Sequence, residues 1–207
     1  MPVDIPFRRD IAFEYGRLER VAPGIRRIVA RNPGPFTFKG TGTYVVGDGE
    51  VAVIDPGPEL EEHIAALLAG LADEQVTHIL VTHTHRDHSP AARALKSATG
   101  APTCGFGPHA GGRRGEAGTE EGGDWDFVPD IVVADGAEIA GRGWRFEAVH
   151  TPGHTSNHLC FALPESSILF SGDHVMGWST SVIAPPDGDM AAYMASLDKL
   201  LTRRDAV

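Results

Sequence analysis

Cysteine is scarce in this chain: Cys104 and Cys160 are its two thiols, far apart and without C-x-x-C spacing. That excludes a disulfide-dense scaffold and a thiolate zinc site, and two reduced thiols in a cytoplasmic protein are expected. Long apolar runs are also lacking. None approaches the ~18 residues that span a bilayer, and the opening MPVDIPFRRD has no apolar stretch of a secretory signal. No membrane partner is expected. Positive charge is short as well, with 18 Lys and Arg against 28 Asp and Glu and a net charge of −10. Unspecific adhesion to nucleic acid leans on a strongly basic face, which this balance does not advertise. A G-x-S-x-G nucleophile elbow is missing, and both cysteines lie in apolar runs, so neither a serine nor a thiol nucleophile is indicated.

What is present is an ordinary globular composition, 42% apolar and 22% charged, with a length that suits one domain over residues 1–207. The charge is uneven: residues 1–50 carry 8 basic against 6 acidic side chains, and the remainder 10 against 22. Arg8, Arg9, Arg17, Arg20, Arg26, Arg27 and Arg31 crowd the first part. They read as a solvated basic face, with service to a polyanion such as RNA left open. A small-molecule substrate fits the acidic balance better, and oligomeric state is not legible.

Short runs rich in Val, Ile and Phe, each bounded by Gly, Pro or Asp, predict strands over 24–30, 43–47, 51–55, 76–82, 101–106, 130–135, 144–150, 158–163 and 167–171. Helical periodicity marks 58–71, with acids in its first turn, 89–98, with a Ser-Pro start, and 189–201, where Asp189 can cap the beginning. Strands with interspersed helices imply sheets covered by helices. The glycine-rich 105–123 reads as a mobile surface loop, with a flap over a site as the alternative.

One string carries the chemistry. VTHTHRDHSPA (81–91) places His83, His85, Asp87 and His88 directly after an apolar run. Imidazole and carboxylate together suit zinc, and also iron or manganese. Four ligands do not complete two sites, but two further strand-end segments supply more. HTPGHTSNH (150–158) offers His150, His154 and His158, and LFSGDHVMG (169–177) offers Asp173 and His174.

H-x-H-x-D-H, then T-P-G-H-T (151–155), then S-G-D (171–173) resembles the metallo-β-lactamase superfamily of metal-dependent hydrolases. RNPGPFTFKGTGTYVVG (31–47), VAVIDPGP (51–58) and the SLDKLL helix look like its β-lactamase-like, glyoxalase-II-like branch. The resemblance covers the chain from about residue 20 onward. It implies an α+β fold, the four-layer αββα sandwich of two mixed sheets flanked by helices. Position by position, His83, His85 and His154 would hold one metal, and Asp87 and His88 a second, with Asp173 bridging them. Two zinc ions per complete protein follow. Asp55 would support the ligands from behind, and His158 would contact substrate or an intermediate. Asp87 would orient the attacking hydroxide, making Asp87 and His158 the candidate catalytic residues. His150 and His174 are expected to be structural, and His63, His78 and His109 ordinary.

The family normally adds one more histidine to the second metal from beyond the last helix matched here, and no histidine follows His174. The expectation is a chain lacking its C-terminal portion. Zinc brings a bound water from a pKa of ~15.7 to about 7, so hydrolysis of an ester, thioester, lactone, amide or phosphodiester is implied. RNA cleavage on the same fold and sulfur (persulfide) oxidation by a single iron are the alternatives.

Overall fold

In a computed structural model, residues 5–111 and 122–205 are described. Eleven strands and three helices follow in order: β1 Glu19–Ala22, β2 Ile25–Val29, β3 Gly42–Asp48, β4 Glu50–Ile54, α1 Glu61–Gly70, β5 Gln75–Leu80, α2 Ala91–Thr99, β6 Thr103–Gly105, β7 Ile131–Val132, β8 Glu138–Gly141, β9 Trp144–His150, β10 Leu159–Leu163, β11 Ile168–Phe170 and α3 Met190–Leu201. The larger sheet runs β1 to β7 in sequence order and the smaller runs β11-β10-β9-β8. β1 to β4 pair antiparallel, whereas β4, β5, β6 and β7 are parallel to one another. Helices α1 and α2 are the crossovers that parallel pairing requires. The smaller sheet is antiparallel throughout, rather than mixed.

Alternation within the strands decides the layers. On β2, Ile25 faces the apolar layer between the sheets, with Ile54, Leu80, Phe146, Phe161 and Phe170, while Ile28 faces the layer beneath α1 and α2, with Val45, Val53, Leu67, Ile79 and Leu95. A third apolar group, Val149, Cys160, Ala162 and Leu169, lies against Leu200 of α3. Helices, sheet, sheet and helix therefore stack in four layers, the expected αββα sandwich. Each wholly buried Phe or Leu contributes about 1.5–3 kcal/mol.

The three expected helices are present with shifted starts. Asp189 caps α3, its Oδ1 accepting from the Ala192 amide at 2.8 Å, and Gly100 ends α2 in the left-handed conformation. The helix anticipated from residue 58 begins at Glu61, because Leu60 is still extended. Strands β1 (ERVA) and β8 (EIAG) escape the pattern because each is short and carries charge. The 130–135 run shortens to two strand residues because the Asp130 carboxylate, not its backbone, receives the Thr103 amide at 2.9 Å. Of the glycine-rich stretch expected to be a surface loop or flap, residues 112–121 lie outside the described residues.

Topology then sets where the ligands meet. β4 and β5 are parallel, so Asp55 and the 82–88 loop leave the larger sheet at one edge. β9 and β11 are both antiparallel to β10 and hence parallel to each other, so the 150–154 and 171–173 turns leave the smaller sheet at one edge as well. No helix is long and apolar enough to cross a membrane among the described residues.

Candidate metal centre

The two edges face each other, and all six expected ligands converge. His83, His85 and His154 each offer a ring nitrogen within 4.8 Å of the others, and ring nitrogens of His83 and His88 gather with a carboxylate oxygen of Asp173 within the same distance. His85 Nδ1 stands 3.2 Å from His83 Nε2 and 3.1 Å from His154 Nε2. Nitrogens about 2.0–2.1 Å from a tetrahedral zinc lie about 3.3 Å apart, so this spacing fits a shared dication.

The neighbouring groups decide which nitrogens keep lone pairs. His154 Nδ1 is 2.7 Å from the Val182 carbonyl, which only accepts, so Nδ1 carries the hydrogen and Nε2 the lone pair. The Thr82 hydroxyl donates to Asp55 Oδ2 and therefore accepts from His83 Nδ1 at 3.0 Å. His83 Nε2 and His154 Nε2 thus turn lone pairs toward His85. Burial first, and then the facing imidazoles, pushes His83 well below the usual histidine range and His85 down to about 3. His83 and His85 are neutral at physiological pH, the form that binds metal.

The second group has the opposite electrostatics. His88 Nε2 faces Asp87 Oδ2 at 3.1 Å and Asp173 Oδ1 at 3.4 Å, and its Nδ1 meets Asp55 Oδ2 at 2.9 Å. Burial alone would lower His88, but Asp87, Asp173 and Asp55 outweigh it and raise it well above its usual value. Burial would likewise raise Asp87 and Asp173, yet His88 holds both below the normal carboxylate range. Two buried carboxylates and the partly exposed Asp173 around one imidazole want positive charge, which a dication supplies. This donor set of imidazoles and carboxylates therefore fits the metal that the string at 83–88 implies.

Asp173 turns Oδ1 toward His88 and Oδ2 toward His154 Nε2, 3.8 Å away. It stands between the two groups. A hollow of about 20 Å³ is bounded by His85, Asp87, His154 and Asp173, room for about one water. From the Asp87, His88 and Asp173 side a larger cavity of about 540 Å³ opens between the sheets.

The other expected roles divide. Asp55, at φ 47°, accepts the Thr82 amide at 2.8 Å and the Thr82 hydroxyl at 2.7 Å besides facing His88. It does support the ligands from behind. His158 is wholly buried behind His83, with ring centroids 5.1 Å apart and Nδ1 2.9 Å from the Thr151 hydroxyl. It lines neither cavity, so this arrangement does not bring it to where a substrate would sit. His150 stacks on Phe106 at 3.8 Å, and His174 packs against Tyr193 at 4.7 Å.

Four further residues, which no ligand motif marks, contribute to the centre. The Thr41 hydroxyl donates to Asp87 at 2.8 Å, and Asn32 clamps Thr41 through Oδ1 and Nδ2. Asp124, buried, accepts from Ser89 and Arg93 and so anchors the start of α2 just past the ligand loop. His109 meets the Thr84 hydroxyl at 2.9 Å, with its ring centroid 6.4 Å from that of His85. The run TFKGTGT, already part of the resemblance, held the signal for Thr41.

Fold and centre together define a class. The chain belongs to the metallo-β-lactamase superfamily, whose family model matches residues 37–207. Over 195 residues it is 32% identical to the atrochrysone carboxyl ACP thioesterase of Claviceps purpurea, which takes in 92% of this chain and 56% of that protein. The chain thus spans little more than half of that relative. A beta-lactamase domain protein from Burkholderia ambifaria matches in structure with a TM-score of 0.71 at 20% identity, over 94% of this chain and 70% of that one. TTHA1623, solved in a di-iron-bound form, matches with a TM-score of 0.63 at 27% identity over 85% of each chain.

Proposed function

We propose that this chain is the core of a metal-dependent hydrolase that cleaves thioesters and holds two dications, zinc foremost. His83, His85 and His154 would hold one, and Asp87 and His88 the other. The observation that carries the dinuclear reading is Asp173, whose two oxygens face one group each. When bound, the metal pair supplies a water of lowered pKa and polarises the scissile carbonyl.

The chain's own residues do the rest. Thr41 fixes the Asp87 carboxylate by donating to Oδ2. Held ionised at the cavity wall, Asp87 orients the attacking water and receives its proton. The layer of Ile54, Tyr44 and Phe170 keeps bulk water from an acyl chain lying in the cavity. A thiol of pKa about 8.5 departs as thiolate with little protonation, whereas an amide nitrogen must be protonated to leave. The ACP thioesterase among the relatives supports the same bond class. No residue outside the described centre need act as nucleophile.

The test pairs elemental metal content with turnover of an acyl N-acetylcysteamine thioester. Two zinc per chain and turnover are expected. His83→Ala and Asp87→Ala should each cost about a hundredfold or more in kcat while circular dichroism stays unchanged. Unchanged turnover in either variant sinks the mechanism. About one iron per chain, with oxygen uptake on a persulfide, replaces it with sulfur oxidation.

A further inference from the structure

Arg27 occupies a position that strand alternation reserves for an apolar side chain. On β2 the residues facing the space between the sheets are Ile25, Arg27 and Val29, and all three line the large cavity. Arg27 pairs across β3 with Tyr44, another cavity residue. Its guanidinium makes no ion pair among the described residues, and its Nε is shut from solvent with no hydrogen-bond acceptor. The contact it does make is 5.9 Å over the Phe13 ring. The closed-off Nε is a donor that an arriving anion would satisfy.

The surroundings are laid out for such an arrival. The Arg27 stem runs alongside Gly42, where an added Cβ would stand 3.4 Å from Arg27 Cδ, an ordinary contact. Gly42 directly follows Thr41, the residue that donates to Asp87. Arg27 lines the same cavity as Asp87, His88 and Asp173. Arg8 and Lys39 line the same cavity, and neither has a carboxylate partner among the described residues; Lys39 Nζ donates to the Ile11 carbonyl at 3.0 Å. In contrast, Arg17, Arg26 and Arg31 of the same basic stretch are ion-paired with glutamates. In a chain with net charge −10, three cations without carboxylate partners among the described residues line one largely apolar cavity.

We infer that this cavity takes an acyl group bearing a carboxylate, with Arg27 as the specificity-determining residue that binds it as a fork. The inference rests on the thioesterase reading above. A carrier phosphate offers the same oxyanion chemistry, but the whole pantetheine arm separates it from the thioester, whereas Arg27 lines the cavity into which Asp87, His88 and Asp173 face. Arg8 and Lys39 at the same wall add attraction without defining geometry.

The experiment compares glutaryl and valeryl thioesters of N-acetylcysteamine, which has no phosphate, and valeryl-coenzyme A, which has several. The wild type should favour glutaryl over valeryl, mainly through KM. Arg27→Leu should cut that preference about ten- to hundredfold, as loss of a charge-assisted hydrogen bond does. Arg27→Lys should restore part of it. The Tm of Arg27→Leu should not fall, because leucine suits the apolar face; Arg27→Met serves if the leucine variant folds poorly. Binding of glutarate, measured by calorimetry on both proteins in the same metal state, should weaken equally. A preference for valeryl-coenzyme A that alone depends on Arg27 overturns the acyl-side assignment in favour of the carrier. Equal kinetics and equal glutarate binding, with a lowered Tm, would make Arg27 structural and refute the subsite while leaving thioester hydrolysis standing. Failure of both proteins on all thioesters, with glutarate still preferring the wild type, would refute the hydrolase reading and keep the subsite.

Discussion

Asp55 Oδ2 lies 2.9 Å from His88 Nδ1, which binds a residue held in left-handed backbone, φ 47°, to the histidine between three carboxylates. The same carboxylate takes the Thr82 amide and hydroxyl, and Thr82 in turn accepts from His83. One aspartate at the end of β4 thereby sets the ring orientation of a histidine in each ligand group. Its strained backbone is retained because Asp tolerates that region and no apolar residue would supply the three bonds.

Replacing that residue separates its electrostatic from its backbone role. Asn keeps the backbone preference but loses the charge facing His88. Asp55→Asn should bind metal about ten- to hundredfold more weakly, read by competition with a chromogenic chelator. Metal affinity equal to the wild type would show that His88 needs no such partner.

Metal removal should register in stability. A ligand that binds the folded chain alone, at a hundred times its Kd, adds about 2.7 kcal/mol. For a domain of this size 1 kcal/mol moves Tm by about 2–4 °C. Chelation should therefore lower Tm by about 5–10 °C, and zinc should restore it. The buried carboxylates around His88 make the second group the part most relieved by metal. An unchanged Tm would mean that nothing binds at the centre.

The layers and the cluster of candidate ligands were legible in the sequence for separate reasons. Strings such as VAVI at 51–54 and the H-x-H-x-D-H run are local, so period and spacing reveal them. The clamp of Asn32 on Thr41 and of Thr41 on Asp87 ties the β2–β3 connection to the loop after β5 and depends on the pairing of β2 with β3, which no local pattern states. His158 illustrates the converse. Its position after T-P-G-H-T suggests the pocket, but β10 begins at the next residue and turns its ring behind His83. Arg27 was visible as one of seven arginines; only the strand register separates it from Arg26, which faces outward to Glu74.

The two thiols give a pH-dependent prediction. Burial pushes Cys104 and Cys160 up to about 12. At pH 8 the thiolate fraction is on the order of 10⁻⁴, so an aromatic disulfide reagent should label neither in the folded protein and both after denaturation. The sign of the linkage is fixed. A thiol raised in the fold contributes stability below the unfolded value of about 8.5, and loses it as pH climbs toward 12. Rapid labelling of the native chain at pH 8 would contradict this burial.

Gly153 tests whether α3 positions the third histidine. It sits at φ 142° in the T-P-G-H-T turn, and a Cβ there would meet the Tyr193 Cα at 2.3 Å and its amide nitrogen at 2.5 Å. These are backbone atoms of α3, which cannot swing aside as a side-chain tip does. The helix is also tied to this turn, because Asp189 donates its amide to the Gly153 carbonyl at 2.8 Å and the Ser196 hydroxyl donates to the Pro152 carbonyl at 2.7 Å. Gly49 is the control, with φ 73° and nothing within 4 Å of an added Cβ. Gly49→Ala should cost about 1 kcal/mol from backbone strain alone. Gly153→Ala adds the clash and should cost about 3 kcal/mol or more, shifting α3 and displacing the adjacent His154. Its Tm should fall further than that of Gly49→Ala, and its affinity for zinc should fall while the control retains the wild-type value. Equal losses in the two variants would mean that α3 yields freely and that the turn does not hold His154 in place.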